Sequence, residues 1–81
     1  MRTNKRVNWI TVGWVASPRE IEYRTVTHGD GRKFLAERGP QLPMGRFETA
    51  EEIAAGVAFL ASDEASHITA CDLNISGGLL V

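Results

Sequence analysis

Thr49-Ala50-Glu51-Glu52-Ile53-Ala54-Ala55-Gly56-Val57-Ala58-Phe59-Leu60-Ala61-Ser62 and, beyond it, Cys71-Asp72-Leu73-Asn74-Ile75-Ser76-Gly77-Gly78 decide the fold. The first stretch opens on a capping box: the Thr49 hydroxyl can accept from the Glu52 amide while the Glu52 carboxylate reaches back to the Thr49 amide. Two acids in the first turn also suit the positive end of a helix dipole. Ile53, Val57, Leu60 and Ala61 recur at helical spacing and make one apolar stripe, which Ala54 widens. The pattern predicts a helix over about 50–62 with that stripe as its core face, and Phe59 off it. Asp63 and Glu64 sit badly near its negative end, and Ala65 to Thr69 turns the chain. The second stretch alternates, which predicts a strand over about 71–75 closed by Ser76-Gly77-Gly78.

Working outward, Val7-Asn8-Trp9-Ile10-Thr11-Val12 is rich in β-branched and aromatic residues and predicts a strand over about 6–12. It lacks strict polar alternation, as expected of a parallel strand covered on both faces. Gly13 ends it, and residues 13–18 form the loop leaving it. Pro18 to Val26 can form a helix with Ile21 on one side, His28-Gly29-Asp30-Gly31 breaks the chain, and Arg32 to Arg38 reads as a short helix stopped by Gly39 and Pro40. Residues 41–47 form a loop punctuated by Pro43 and Gly45. A strand, a long helical connection and a second strand make a βαβ unit with parallel strands. So small a sheet leaves an edge and a face open, so the expected class is α/β, with this chain the end of a larger sheet.

Composition narrows the function classes. Nine Lys and Arg against ten Asp and Glu give a net charge of −1, which argues against nucleic-acid binding. No stretch approaches the ~18 apolar residues of a membrane span, and the apolar run behind the basic start is too short for a signal peptide. The single Cys71 excludes an intrachain disulfide. A soluble, cytoplasmic protein is expected.

The order of the motifs resembles the C-terminal portion of the short-chain dehydrogenases/reductases. Arg6-Val7-Asn8 and then Gly13-Trp14-Val15-Ala16-Ser17-Pro18 look like the segment after that family's active-site helix. Pro43-Met44-Gly45-Arg46-Phe47 and the 49–62 stretch look like its penultimate loop and last long helix, and Ser66-His67-Ile68-Thr69 with Leu73 to Gly78 like its final strand and closing double glycine. The resemblance runs from about Lys5 to Gly78 and implies a Rossmann-like, doubly wound parallel sheet and NAD- or NADP-dependent chemistry on a carbonyl/alcohol pair. It also makes residues 19–47 a substrate lid.

Carried over by position, Gly13 matches a glycine that lets the chain pass close to the cofactor, Val15 a position whose backbone contacts the nicotinamide amide, and Ser17 a hydroxyl position near the cofactor. Three positions depart from the family: Val12 for proline, Ala70 for glycine and Ser76 for aspartate. Ala70 asks a Cβ to fit a turn that favours positive φ. The family's Gly-rich phosphate turn is absent from these residues, as is its Tyr-Lys pair, since Tyr23 is followed four positions on by Thr27. No catalytic residue and no metal site is therefore expected, nor tight binding of NAD or NADP by this chain alone.

The remaining candidates have plainer readings. His28 and Asp30 fall short of zinc's four ligands and read as a solvated loop. His67 reads as a surface residue, Cys71 as a small buried hydrophobe, and Trp9 and Trp14 as core and loop packing. Arg2, Lys5 and Arg6 read as a solvated approach to the first strand. In the family the last helix and strand also meet a neighbouring subunit, which makes Phe59 and Leu79-Leu80-Val81 interface candidates. The leading expectation is the C-terminal segment of an oxidoreductase, a truncated product or half of a split gene. The alternative is an interaction fragment that assembles with itself or a full-length relative. A third is an unrelated small βαβ binding module that merely looks similar, which antiparallel pairing of the first and last strands would favour.

Overall fold

Residues 5–80 are described by the computed structural model. In chain order the elements are β1 (Trp9–Val12), α1 (Pro18–His28), α2 (Gly31–Arg38), α3 (Ala50–Ala61) and β2 (Asp72–Ile75), with 3₁₀ turns at Gly39–Gln41 and Asp63–Ala65. β1 and β2 pair in parallel, Trp9 opposite Asp72 through Val12 opposite Ile75. The parallel pairing confirms the α/β class and lacks the antiparallel arrangement that would have favoured an unrelated module. Met1 to Asn4, with Arg2 among them, and Val81 lie outside the described residues.

The ladder is shorter than the 6–12 run of β-formers because Ala70 stands at φ 59°, where its backbone turns away from strand geometry. Side chains replace the missing ladder bonds. Asn8 accepts from the Cys71 amide at 3.1 Å and donates to the Ile68 carbonyl at 3.1 Å, and Thr69 Oγ1 accepts from the Val7 amide at 3.2 Å. Arg6 is not a solvated approach. Its Nη1 donates to the carbonyls of Leu60, at 2.8 Å, and Ile68, at 3.2 Å. A guanidinium on last-turn carbonyls offsets the negative end of α3, where Asp63 and Glu64 give no help.

The capping box is present in full: Thr49 Oγ1 accepts from the Glu52 amide and Glu52 Oε1 from the Thr49 amide. α3 lies on the sheet face formed by Ile10, Leu73 and Ile75, and Gly56 is its point of closest approach, since a Cβ there would collide with Ile75 Cδ1. The face differs from the predicted stripe. Beyond the capping Glu52, Ile53, Gly56 and Leu60 are the half-buried positions, whereas Val57 is 49% exposed and Ala61 is exposed. The close approach at Gly56 rotates the contact toward β2, which leaves Val57 and Ala61 over the open flank of β1.

The opposite sheet face carries Trp9, Thr11, Asp72 and Asn74, and Thr11 donates to the Asp72 carboxylate at 2.8 Å. Among the described residues no helix packs on it, so the expectation of two covered faces and a core Trp9 fails: Trp9 is 60% exposed. Leu35 and Ala65 are the only buried apolar side chains among the described residues. The chain exposes 6238 Å² where a compact chain of this mass exposes about 4800 Å². Its radius of gyration, 16.1 Å, exceeds the ~12 Å of a closed domain of this length.

Candidate functional site

Ligands of open parallel sheets bind outside the carboxyl ends of the strands. Here those ends are Gly13 and Ser76. The Gly13 amide is shared between the Ile75 carbonyl, at 3.3 Å, and Glu48 Oε1, at 3.0 Å. A Cβ on Gly13 would collide with that carboxylate and lie 2.9 Å from both the Cα and the carbonyl oxygen of Ser76, so only glycine lets the β1 and β2 ends close together. Val15 forms an isolated parallel bridge with Glu48, whose amide donates to the Trp14 carbonyl at 3.0 Å. Ser17 caps α1, its Oγ accepting from the Glu20 amide at 3.1 Å and keeping its own proton to donate. The three residues carried over from the resemblance thus follow one another along a single loop at the sheet's carboxyl edge.

A cleft of about 350 Å³ opens beside this loop. Trp14, Leu42, Met44, Phe47, Ile75 and Leu79 give it apolar walls. Its floor is the turn after β2, where Gly77 and Gly78 take φ of 62° and 86° beneath Met44 and Pro43. The turn is tied down by Asn74, which donates to the Leu80 carbonyl at 2.5 Å, and by the buried Ser76 hydroxyl, which accepts from the Leu80 amide at 3.1 Å. At the rim Arg46 and Glu52 form a two-pronged ion pair, each nitrogen–oxygen distance 2.8 Å. The Arg46 guanidinium, followed by the Thr49 amide, holds the Glu52 carboxyl down at about 2, and Glu52 in turn raises Arg46. Across the loop Arg24, with help from the Trp14 N–H, lowers Glu20. Glu48 Oε2 is shut from water with no hydrogen-bond partner.

Sequence reasoning missed Glu48, the Arg46–Glu52 clamp and the Trp14–Glu20–Arg24 cluster. The first two join residues across turns, with the capping box as a local hint of one member. In the third, Glu20 and Arg24 stand four apart on α1, an ion-pair spacing legible in the sequence, and only Trp14 comes in from outside the helix. The other candidates lie apart from the cleft. Tyr23 is 55% exposed on α1, and His67 is exposed. His28 stacks on Phe34 at 4.1 Å, Asp30 caps α2 through the Lys33 amide, and Cys71 is half-buried. Among the described residues no three His, Cys, Asp or Glu side chains gather as a metal site.

The donor set fits one end of a dinucleotide and not its middle. The apolar cleft at the carboxyl edge suits a flat ring, although the Ser17 hydroxyl does not line it. A pyrophosphate would need a helix N-terminus with free amides, but that of α1 is capped by Ser17 and carries Glu20 in its first turn.

Known proteins of similar sequence and fold identify the family. The family model described as Enoyl-(Acyl carrier protein) reductase matches residues 1–80. The 3-oxoacyl-[acyl-carrier-protein] reductase FabG of Thermotoga maritima is 35% identical over 78 residues, covering 96% of this chain and 29% of that protein. Aldohexose dehydrogenase of Thermoplasma acidophilum superposes with a TM-score of 0.81 at 35% identity, over 91% of this chain and 31% of its own. L-Sorbose reductase of Gluconobacter frateurii, solved with NADPH and L-sorbose, gives 0.75 at 30% identity, over 93% of this chain and 30% of its own. The chain thus spans about a third of the length of these relatives. With a matching family model along its length, a parallel βαβ unit of the same fold and a cleft at the carboxyl edge, this chain belongs to the short-chain dehydrogenase/reductase family.

Proposed function

We propose that the chain supplies the cofactor-side loop and the substrate lid of a cytoplasmic NAD(P)-dependent oxidoreductase acting on a carbonyl/alcohol pair. Alone it neither binds the dinucleotide tightly nor transfers hydride. The observation that carries this reading is an apolar cleft at the carboxyl ends of parallel strands, lined by Trp14 of the loop that holds Gly13, Val15 and Ser17, although none of these three lines the cleft itself. Among the described residues no tyrosine or lysine lines that cleft, and the N-terminus of α1 is capped by Ser17. Membership of a family whose relatives include an NADPH complex supports the cofactor class. No helix among the described residues is long and apolar enough to cross a membrane.

The test is a chimera in which residues 5–80 replace the matching stretch of the Thermotoga reductase. NADPH-dependent ketone reduction by the chimera is the expected result, with no saturable NADPH binding by the 81-residue chain up to millimolar cofactor. A folded chimera without reductase activity, or hydride transfer by the isolated chain, overturns the reading.

A second reading is favoured by the uncovered face and edge of the sheet, where Val7 and Trp9 are 64% and 60% exposed. In it the chain assembles with a second copy or a full-length relative by adding strands to the open edge.

A further inference from the structure

The helical hairpin α1–α2 has little hold on the rest of the molecule. Its two helices pack on each other, and α2 packs on the turn that follows it, but neither packs on the sheet or on α3. α1 buries no side chain, and Val26 on its outer side is 83% exposed. Covalent linkage alone would let such a hairpin swing. What holds it is a cluster around one aromatic ring.

The Trp14 indole N–H donates to Glu20 Oε1 at 2.9 Å, and Arg24 Nε donates to the same oxygen at 2.8 Å. The Arg24 guanidinium carbon lies 5.0 Å from the Trp14 ring centre and 5.2 Å from that of Phe34 on α2. Arg38, at the far end of α2, approaches the same indole at 5.9 Å, and Phe47 meets it edge-on at 5.0 Å. The Glu20 and Arg24 side chains are only 22% and 23% exposed, which lifts this pair above an ordinary solvated ion pair. Trp14 is therefore tied to α1 by a hydrogen bond, to α2 through two guanidinium groups, and to the segment before α3 by ring contact. The same indole forms part of the cleft wall.

We propose that Trp14 is the latch of the lid: a positioning residue that holds the α1–α2 hairpin against the cofactor-side loop through Glu20 and Arg24. A ligand that displaces the indole from the cleft wall must break the Glu20 bond and free the hairpin as a unit, so occupancy of the cleft and the position of the lid are coupled. The word lid rests on the functional reading above; the latch itself rests on geometry.

The test uses amide hydrogen exchange by mass spectrometry on the 81-residue chain. Trp14→Phe keeps a ring against Phe47 and loses the indole donor, while Glu20→Gln removes the charge shared by Trp14 and Arg24. Each is expected to speed exchange over residues 19–38 roughly five- to tenfold and to leave β1, α3 and β2 unchanged. Glu22→Gln, exposed on the same helix, is the control and leaves all rates unchanged. In a Trp9→Phe background Trp14 is the sole tryptophan, and Glu20→Gln is expected to shift its emission to the red. Uniform acceleration across the chain, no acceleration in the hairpin, or complete exchange of the hairpin before any substitution overturns the latch. None of these readouts uses a cofactor, so an inactive chimera with an intact latch sinks the oxidoreductase reading alone.

Discussion

Ala70 holds a φ of 59°, and every other described residue with positive φ is a glycine. A side chain in that region brings Cβ against the following carbonyl oxygen at a cost of about 1–2 kcal/mol. Ala70→Gly removes that cost and adds back about 0.4–1 kcal/mol of unfolded-chain entropy. The balance is a stabilisation of roughly 0.5–1 kcal/mol, checked by urea denaturation; an unchanged or lowered midpoint would show that the turn carries no strain. The position was legible in the sequence as a departure from a glycine-favouring turn. Arg6 was not: its role depends on Leu60 and Ile68, far along the chain, and a basic run before a strand reads as solvated until the fold brings those carbonyls to it.

At the scale of elements, α3 was the most legible because its signals are local. Thr49, Glu52 and the apolar positions lie within a few turns, and the cap bonds join residues three apart. Yet Glu52 serves two partners, since Arg46 clamps the same carboxylate. Its folded pKa, about 2, lies below the ordinary carboxyl value of 4.5. The sign follows directly: the contribution of this group is fully present above pH 4.5 and is lost as the pH falls through about 2. Carboxyl-detected NMR titration should place the Glu52 midpoint near 2, and Arg46→Gln should return it most of the way to 4.5. A midpoint near 4.5 in the unmodified chain would mean that the clamp does not form in solution. The face of α3 was less legible. Apolar spacing selected Val57 and Ala61 with Ile53 and Leu60, but the Gly56 contact with Ile75 sets the helix rotation, and a missing side chain leaves no mark in a hydrophobic pattern.

For the whole molecule, surface decides. The exposed area exceeds that of a compact chain by roughly 1400 Å², comparable with the ~1600 Å² total of a standard protein–protein interface. The parallel pair contributes to it, with Trp9 60% and Val12 40% exposed, and unpaired strand edges invite further strands. The isolated chain is therefore expected to sediment as an oligomer at tens of micromolar, and Trp9→Lys to shift it toward monomer by charging the bare face. A monodisperse monomer at those concentrations would remove the assembly reading and leave the oxidoreductase reading untouched.

The sequence by itself determined the elements, their order and the parallel pairing of the strands, because capping, periodicity and the length of the crossover are properties of short stretches or of connectivity. It also determined, through the ordered motifs, which family to expect. The tertiary structure alone decided which face of α3 meets the sheet, how Glu48 closes on Gly13, and that Trp14 gathers α1 and α2 around one ring. These contacts join groups from separate elements, and their energies depend on distances that no spacing along the chain encodes.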